Sequence, residues 1–456
     1  MNAIAHISKR VRDYINKGQL RSVKAKKNIL FSFVVKGGSI LISFLLVPLT
    51  IDYVDAEQYG IWLTLSSVIS WFKFFDIGLD KGLRNNFAKA LAEGKKDEAR
   101  AYVSSTYAIL AGISSALLIL FFSINPLLNW ADIFNVDAKL ALNLGLVMLV
   151  VFSFFCMNFV LKIITTIYTA DQRPAFAGFV NFLTSVISLI VIFLLTRFTE
   201  GSLLMLALAL GGAPILVLSI LTGFAFRGDY KDYRPSIKYI DKKQFSGLAS
   251  LGYQFFVIKI ISVVIFSTDN MIITRLYGPA AVTPYALSFK YFGIITKVLM
   301  IITVPFWSAY TEAYTKNDIK WIKRTNKKLV SIWRLVLLGS VVLLVISPFA
   351  YKLWVPSVEI PFFLSACMFF YVNYLAWGRI FVVFVNGVSK VKLQMWTSII
   401  GGVINIPLSI FLAKTVGLGT AGVIIASIVS LSYGPLIAPI QYKKILNGTA
   451  KGIWNK

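Results

Sequence analysis

The sequence predicts an all-α polytopic membrane protein with twelve transmembrane helices in two six-helix lobes, and three observations carry that prediction. Of 456 residues, 57% are apolar in type and only 14% charged, with a mean hydropathy of +0.75. Soluble domains carry about 25% charged residues, so a water-soluble enzyme with a polar shell is excluded. The apolar residues arrive in runs of about 20, the length that crosses a hydrocarbon core of about 30 Å. Lysine and arginine, finally, concentrate in alternate loops, as they do in chains that cross a bilayer repeatedly.

The elements follow in order. Residues 1–27 form a basic arm in which Ile4, Ile7, Val11 and Ile15 recur at helical spacing, the pattern of a helix lying at the headgroup level. The first span, 28–50, is too long for a signal-peptide core and has no small-residue cleavage site behind it, so it reads as an uncleaved helix. Further spans are expected near 58–77, 102–123, 140–162, 175–196, 202–226, 248–270, 283–306, 329–350, 360–384, 394–414 and 418–440. Pro214, Pro305, Pro407 and Pro435 should bend their helices. The pairs Gly37-Gly38, Gly211-Gly212 and Gly401-Gly402 sit in mid-span and predict close helix packing or bending. The stretches 78–101, 227–247 and 307–328 are basic and amphipathic, as interfacial helices are.

Twelve spans place both termini on one side. The opposite side receives only Lys139, Arg197, Arg275, Lys352 and Lys414 of the basic residues, so the termini are expected in the cytoplasm. Most of the +26 formal charge is then a topology signal, and a nucleic-acid partner is not expected. No loop on the outer side is long enough for a folded catalytic domain. The two halves resemble each other at an offset of 223–224 residues: Lys36 falls on Lys259, Tyr53 on Tyr277, Lys73 on Lys297, and 87–90 on 310–313. The predicted organisation is an arm (1–27), an N-lobe (28–226), a cytoplasmic linker (227–247), a C-lobe (248–440) and a tail (441–456). Such repeats build transporters around a site near the midplane.

Charges inside the apolar runs carry the chemistry. Lys36 lies in span 1, Lys259 in span 7, Lys290 and Lys297 in span 8, and Lys73 near the inner end of span 2. At 1.5 Å per residue Lys259 is roughly 16 Å from the inner end of its helix, too deep to snorkel. A charge at that depth costs at least ~2.5–3.5 kcal/mol on insertion scales. Carboxylates are scarce: Asp269 near the outer end of span 7, and Asp76 close to Lys73. The lysines must face water or an anion, and a central cavity of net positive sign gathers anions. Asp269 has two readings, a static partner for Lys259 or Lys290 and an ion-coupling group. Arg334 and Arg379 lie near the inner ends of spans 9 and 10, where snorkelling explains them as well as function does. Cys156 and Cys367 are both within apolar runs and His6 is the single histidine, so no catalytic residue, metal or cofactor is expected. A P-loop is absent.

Two stretches carry a family resemblance. One runs from Pro48 through Tyr59-Gly-Ile-Trp62 to Asp76-Ile-Gly-Leu-Asp-Lys-Gly-Leu-Arg-Asn-Asn86. The other comprises Asp269-Asn-Met-Ile-Ile273, Tyr285 to Lys290, Pro305-Phe-Trp-Ser-Ala-Tyr-Thr-Glu-Ala313 and Asp318-Ile-Lys-Trp321. They resemble the Wzx-type polysaccharide flippases of the multidrug/oligosaccharidyl-lipid/polysaccharide exporter superfamily. The resemblance implies a V-shaped pair of lobes and translocation of an undecaprenyl-pyrophosphate-linked oligosaccharide repeat unit to the outer leaflet of the bacterial inner membrane. It also implies alternating access driven by H+ or Na+, for O-antigen or capsule assembly. By position Arg84 would sit at the cytoplasmic mouth of the first lobe and Glu312 at the comparable place in the second.

The expectation is therefore a secondary flippase. Lys36, Lys259, Lys290 and Lys297 hold the pyrophosphate, Lys73 and Arg84 gather it, and Asp269 is the candidate for ion coupling. Its expected partners are the lipid-linked oligosaccharide, membrane lipids, and the polysaccharide polymerase and chain-length regulator, with the chain itself a monomer. A small-molecule antiporter of the same superfamily is the alternative. A membrane glycan polymerase or ligase ranks below it, because such enzymes need a sizeable outward loop.

Overall fold

The computed structural model describes residues 20–72, 79–137, 143–171, 173–241, 253–303 and 306–456. Among them every regular element is helical. The α-helices are α1 (Leu20–Val54), α2 (Ala56–Trp71), α3 (Leu79–Ala92), α4 (Lys96–Ile124), α5 (Trp130–Phe134), α6 (Leu144–Leu161), α7 (Ile163–Ala170), α8 (Pro174–Phe198) and α9 (Leu203–Arg227). After residues 242–252 come α10 (Tyr253–Tyr277), α11 (Val282–Thr303), α12 (Phe306–Thr315), α13 (Ile319–Trp354), α14 (Phe362–Gly387), α15 (Lys392–Ile410), α16 (Gly419–Ser430) and α17 (Ala438–Leu446).

Ten of the helical stretches among the described residues are long and apolar enough to cross a membrane, and a pair bent by 41° at its break, Gly419–Ser430 with Tyr433–Leu446, makes up to eleven. The remaining expected span, 58–77, corresponds to α2. That helix has 16 described residues, and 73–78 lie outside the described set. Local sequence sets several helix ends. Asp55 caps α2 by accepting from the Gln58 backbone N at 2.9 Å, and Asp318 caps α13 by accepting from Trp321 N at 3.0 Å. Pro174 opens α8, where its missing N–H costs nothing. On α13, Phe349 and Leu353 are 73% and 78% exposed. Faces of that kind belong against lipid, which is as apolar as leucine.

The chain divides by packing into two compact units. Unit 1 comprises residues 1–53, 78–126 and 146–250; unit 2 comprises 54–77, 127–145 and 251–456. The core of unit 1 gathers Leu83, Phe87, Val103, Ile163, Ile164 and Ile167 from α3, α4 and α7. Unit 2 has two cores, one around Phe292, Met368, Val372 and Ile424, the other around Tyr310, Leu329, Phe384 and Tyr442. Within unit 2, α2 lies against α10. The Thr64 and Thr274 hydroxyls share a hydrogen bond of 2.6 Å, and Thr283 Oγ1 donates to the Ala56 carbonyl at 2.6 Å. Gly60 meets the Pro279 carbonyl so closely that any Cβ there would overlap it.

The glycine pairs behave as close-packing sites. A Cβ on Gly38 would stand 2.7 Å from Phe182, one on Gly211 2.5 Å from Phe154, and one on Gly402 2.7 Å from Ile261. Of the bending prolines, Pro214 and Pro407 lie inside α9 and α15, and Pro435 lies in the widened turn Tyr433–Ile437 between α16 and α17. Pro305 falls outside the described residues. Past Pro407 the helix opens into a π turn, Phe411–Thr415, whose Ala413 carbonyl accepts from the Tyr277 hydroxyl at 2.6 Å.

One expectation is corrected. Residues 227–241 are not an amphipathic helix. Beyond α9 they carry the short 3-10 turns Lys231–Tyr233 and Ile237–Tyr239, and 242–247 lie outside the described residues. Gly228 and Pro235 interrupt any helix, and α4 supplies other partners for the strap. Arg100 Nε donates to the Arg234 carbonyl at 2.9 Å, while Ser104 and Ser105 Oγ accept from Ser236 and Asp241 N at 3.1 and 3.0 Å.

Candidate anion-binding site

Helix α11 carries Lys290 and Lys297, two turns apart and therefore on one face. Lys290 is half-buried and Lys297 exposed. Lys297 borders a cavity of about 440 Å³ inside unit 2, which Arg379 of α14 and Gln394 of α15 also line. Helix α11 packs closely on α14, and Arg379 Nε donates to Thr303 Oγ1 at 3.1 Å. Thr303 in turn donates to the Leu299 carbonyl at 2.8 Å. No aspartate or glutamate is among the described residues that line the cavity. Lys297 and Arg379 form no ion pair with a described residue.

Sequence reasoning left Arg379 open between snorkelling and function. Its distance from the end of α14 at Gly387, about 12 Å of helix, was the available signal.

Asp269 of α10 is buried, 6% exposed. The Tyr285 hydroxyl donates to Oδ2 at 2.6 Å, and Ser427 Oγ stands 3.4–3.5 Å from its two oxygens. Asn405 Nδ2 donates to Ser427 Oγ at 3.1 Å, while Asn405 Oδ1 is buried without a partner among the described residues. Asp269 makes no ion pair with Lys290 or with any other described cation. Its setting is one of hydroxyls, able to hold a proton or ligate a small cation.

The other predicted residues fall on other helices or outside the described residues. Lys36 lies within α1 and Lys259 within α10, and their side chains, like all of Lys73, fall outside the described residues. Arg84 is exposed on α3. Glu312 is on α12, its side chain again outside the described set. No group of three or more potential metal ligands occurs among the described residues.

Cations at the strap are held differently. Arg173 Nη1 donates to Asp229 at 2.6 Å, with Nε 3.1 Å from Asp171, and Lys96 donates to Asp232 at 2.9 Å. The hydrogen bond from Lys96 holds the Asp232 carboxyl below its ordinary value, and the bond from Lys95 does the same for Glu93. Asp229 holds the Arg173 guanidinium above its own.

The sequence profile of the polysaccharide biosynthesis protein family matches residues 25–310. A Yersinia pseudotuberculosis protein named for O-antigen export is 21% identical over 378 residues, 79% of this chain and 82% of that relative. A Salmonella typhi protein named for O-antigen transport is 21% identical over 405 residues, 84% of this chain and 90% of its own length. Among solved structures, the inward-facing conformation of a MATE-family multidrug resistance transporter of the MOP superfamily is similar with a TM-score of 0.76 at 10% identity, over 92% of this chain and 98% of the other. A Vibrio cholerae MATE transporter gives 0.63 at 14% identity, over 94% and 99%. At such identities the structural likeness shows the fold alone.

Proposed function

Since the chain belongs to the polysaccharide biosynthesis protein family, we propose that it is a secondary-transport flippase for a lipid-linked oligosaccharide. The cargo is a repeat unit on undecaprenyl pyrophosphate, moved from the cytoplasmic to the periplasmic leaflet of the bacterial inner membrane for O-antigen or capsule assembly. The observation that carries this reading is the sign of the unit 2 cavity: Lys297 and Arg379 border it and no described carboxylate does. A cavity of that sign favours an anionic cargo over the organic cations of drug exporters. The export and transport names of the two relatives support the glycan as the passenger.

In this mechanism Lys36, Lys259, Lys290 and Lys297 hold the pyrophosphate and Lys73 with Arg84 gathers it at the cytoplasmic mouth. Lysine suits a group that must be released, being a point charge on a flexible stem. Asp269 takes the coupling ion, H+ or Na+, in its setting of Tyr285 and Ser427 hydroxyls. The lobes alternate access around the site while the prenyl tail stays in lipid. The flippase acts as a monomer and hands its product to the polymerase and chain-length regulator.

The test is leaflet exchange of defined polyprenyl-pyrophosphate sugars in proteoliposomes, with and without proton and sodium gradients. Exchange dependent on the protein is expected, faster under one of the two gradients. No exchange of any such lipid, with drug resistance rising in over-producing cells, would replace the reading by an antiporter. The hydroxyl-bound Asp269 is the feature that favours that alternative.

A further inference from the structure

We propose that the cavity of unit 2 is a phosphate subsite in itself, with Lys297 and Arg379 as its two cationic walls, built for a phosphate carried on a lipid. The inference rests on the flippase reading for the identity of the cargo, but the pocket stands or falls on its own geometry.

The two cations reach the cavity from different helices, α11 and α14. Arginine has five N–H donors in a fixed fork, and Arg379 gives one of them to Thr303. No described carboxylate engages the remaining four. The Thr303 hydroxyl proton goes to the Leu299 carbonyl, so only its lone pairs face Arg379, and the guanidinium is oriented by a hydroxyl that is itself fixed. A snorkelling arginine would instead run its head out to the interface. Lys297 adds three donors and is likewise without an ion pair among the described residues. Two unneutralised cations on one cavity at bilayer depth are costly unless an anion joins them.

A second observation points to a ligand. Ser430 and Gln394 are among the residues that line the same cavity, and their Oγ and Oε1 atoms are buried with no hydrogen-bond partner among the described residues. Buried polar atoms left unpaired destabilise a fold, and their explanation is often a group the site was built to receive. A serine hydroxyl donates to a phosphate oxygen. An amide oxygen accepts from a protonated phosphate or a sugar hydroxyl.

The rest of the wall discriminates between anions. Phe289, Leu299, Met300 and Tyr371 make much of it apolar. Such a wall suits a phosphate that arrives on a hydrocarbon chain better than a free, hydrated ion. Gly293 also borders the cavity, and a Cβ placed on it would meet nothing within 4 Å. That glycine is a point at which the space can be filled while both charged side chains are kept.

Three probes separate the possible sources of the phosphate: undecaprenyl pyrophosphate without sugar, phosphatidylglycerol and inorganic pyrophosphate. Each is titrated against the full-length protein in nanodiscs of a zwitterionic lipid. The variants are Arg379→Gln, Lys297→Gln, Arg379→Lys and Gly293→Leu, with Lys352→Gln as a remote control. Undecaprenyl pyrophosphate should bind saturably, and at least about tenfold more weakly to Arg379→Gln, Lys297→Gln and Gly293→Leu. Lys352→Gln should bind as the parent does, and Arg379→Lys should keep part of the affinity.

Equal competition by phosphatidylglycerol would support the pocket with the bilayer as its source of phosphate. Equal competition by inorganic pyrophosphate would overturn the lipid requirement. Unchanged binding in all variants with unchanged melting would overturn the pocket, and if translocation also persisted the flippase reading would survive it. Loss of binding in the variants, with no glycan translocated by the parent protein, would do the reverse. Should Arg379→Gln fail to fold, Gly293→Leu decides, because it keeps both cations and adds a better helix former.

Discussion

At the 227–241 strap Arg173 sits between Asp229 and Asp171 and Lys96 meets Asp232, whereas in the unit 2 cavity Lys297 and Arg379 face no described carboxylate. The strap pairs are half-exposed to water, where an ion pair adds little stability and mainly fixes geometry. The cavity cations stand on membrane-spanning helices, where leaving a charge unneutralised is expensive. A chain with 46 basic and 20 acidic residues could not pair every cation. The strap's charges are neutralised by neighbours that hold the chain in place, whereas the cavity's are left open, as the proposed phosphate subsite requires.

The comparison can be broken most severely by giving the cavity what the strap already has. Gln394→Glu would place a carboxylate among Lys297 and Arg379. Translocation should fall by about 100-fold, a change of about 2.7 kcal/mol, while the melting temperature holds or rises. Unaltered transport in that variant would separate the cavity from function.

A smaller effect is expected at Asp269→Asn. The amide oxygen still accepts from Tyr285, so stability should change by less than about 1.5 kcal/mol. Translocation in proteoliposomes should lose its dependence on the ion gradient. At the strap, Arg173→Ala should cost under about 1 kcal/mol, less still in high salt, and leave transport rates alone.

The smallest expected effect is on pH. Asp232 and Glu93 are held below their ordinary values by Lys96 and Lys95. Groups lowered in the folded state stabilise it above the ordinary carboxylate range, near pH 4, and that contribution is lost as pH falls through their folded values. Protection of residues 227–241 against hydrogen exchange, corrected for the intrinsic pH dependence of the exchange rate, should therefore fall below about pH 4 and stay flat between neutral and mildly alkaline pH.

Much of the fold was legible because lipid imposes a simple rule, long apolar runs without charge. Pro407, one turn before the π turn, and Pro435, within the widened turn, both marked irregular winding, since a proline inside a helix removes a ladder hydrogen bond. What the sequence hid depends on contacts distant along the chain. The seating of α2 on α10 rests on Thr64 with Thr274, separated by 210 positions, and on Gly60 with Pro279, and neither pair leaves a local period. The strap was misread because a basic, half-apolar stretch looks the same whether it coils on a membrane or lies along α4. In the candidate site, Lys297 stood out as a charge deep in an apolar run. Arg379 did not, because proximity to a helix end gives an arginine an innocent explanation until its guanidinium is seen fixed on Thr303.

Tyr277 illustrates how a broken helix is afforded inside hydrocarbon. The π turn after Pro407 leaves the Ala413 carbonyl without an ordinary helical donor, and the phenol of α10 fills that vacancy. The wider coil thus depends on a peg from a neighbour. Removing it with Tyr277→Phe would press the segment to tighten back to a regular winding. Every side chain beyond that point, Lys414 first, would then rotate around the axis and shift in register against α16.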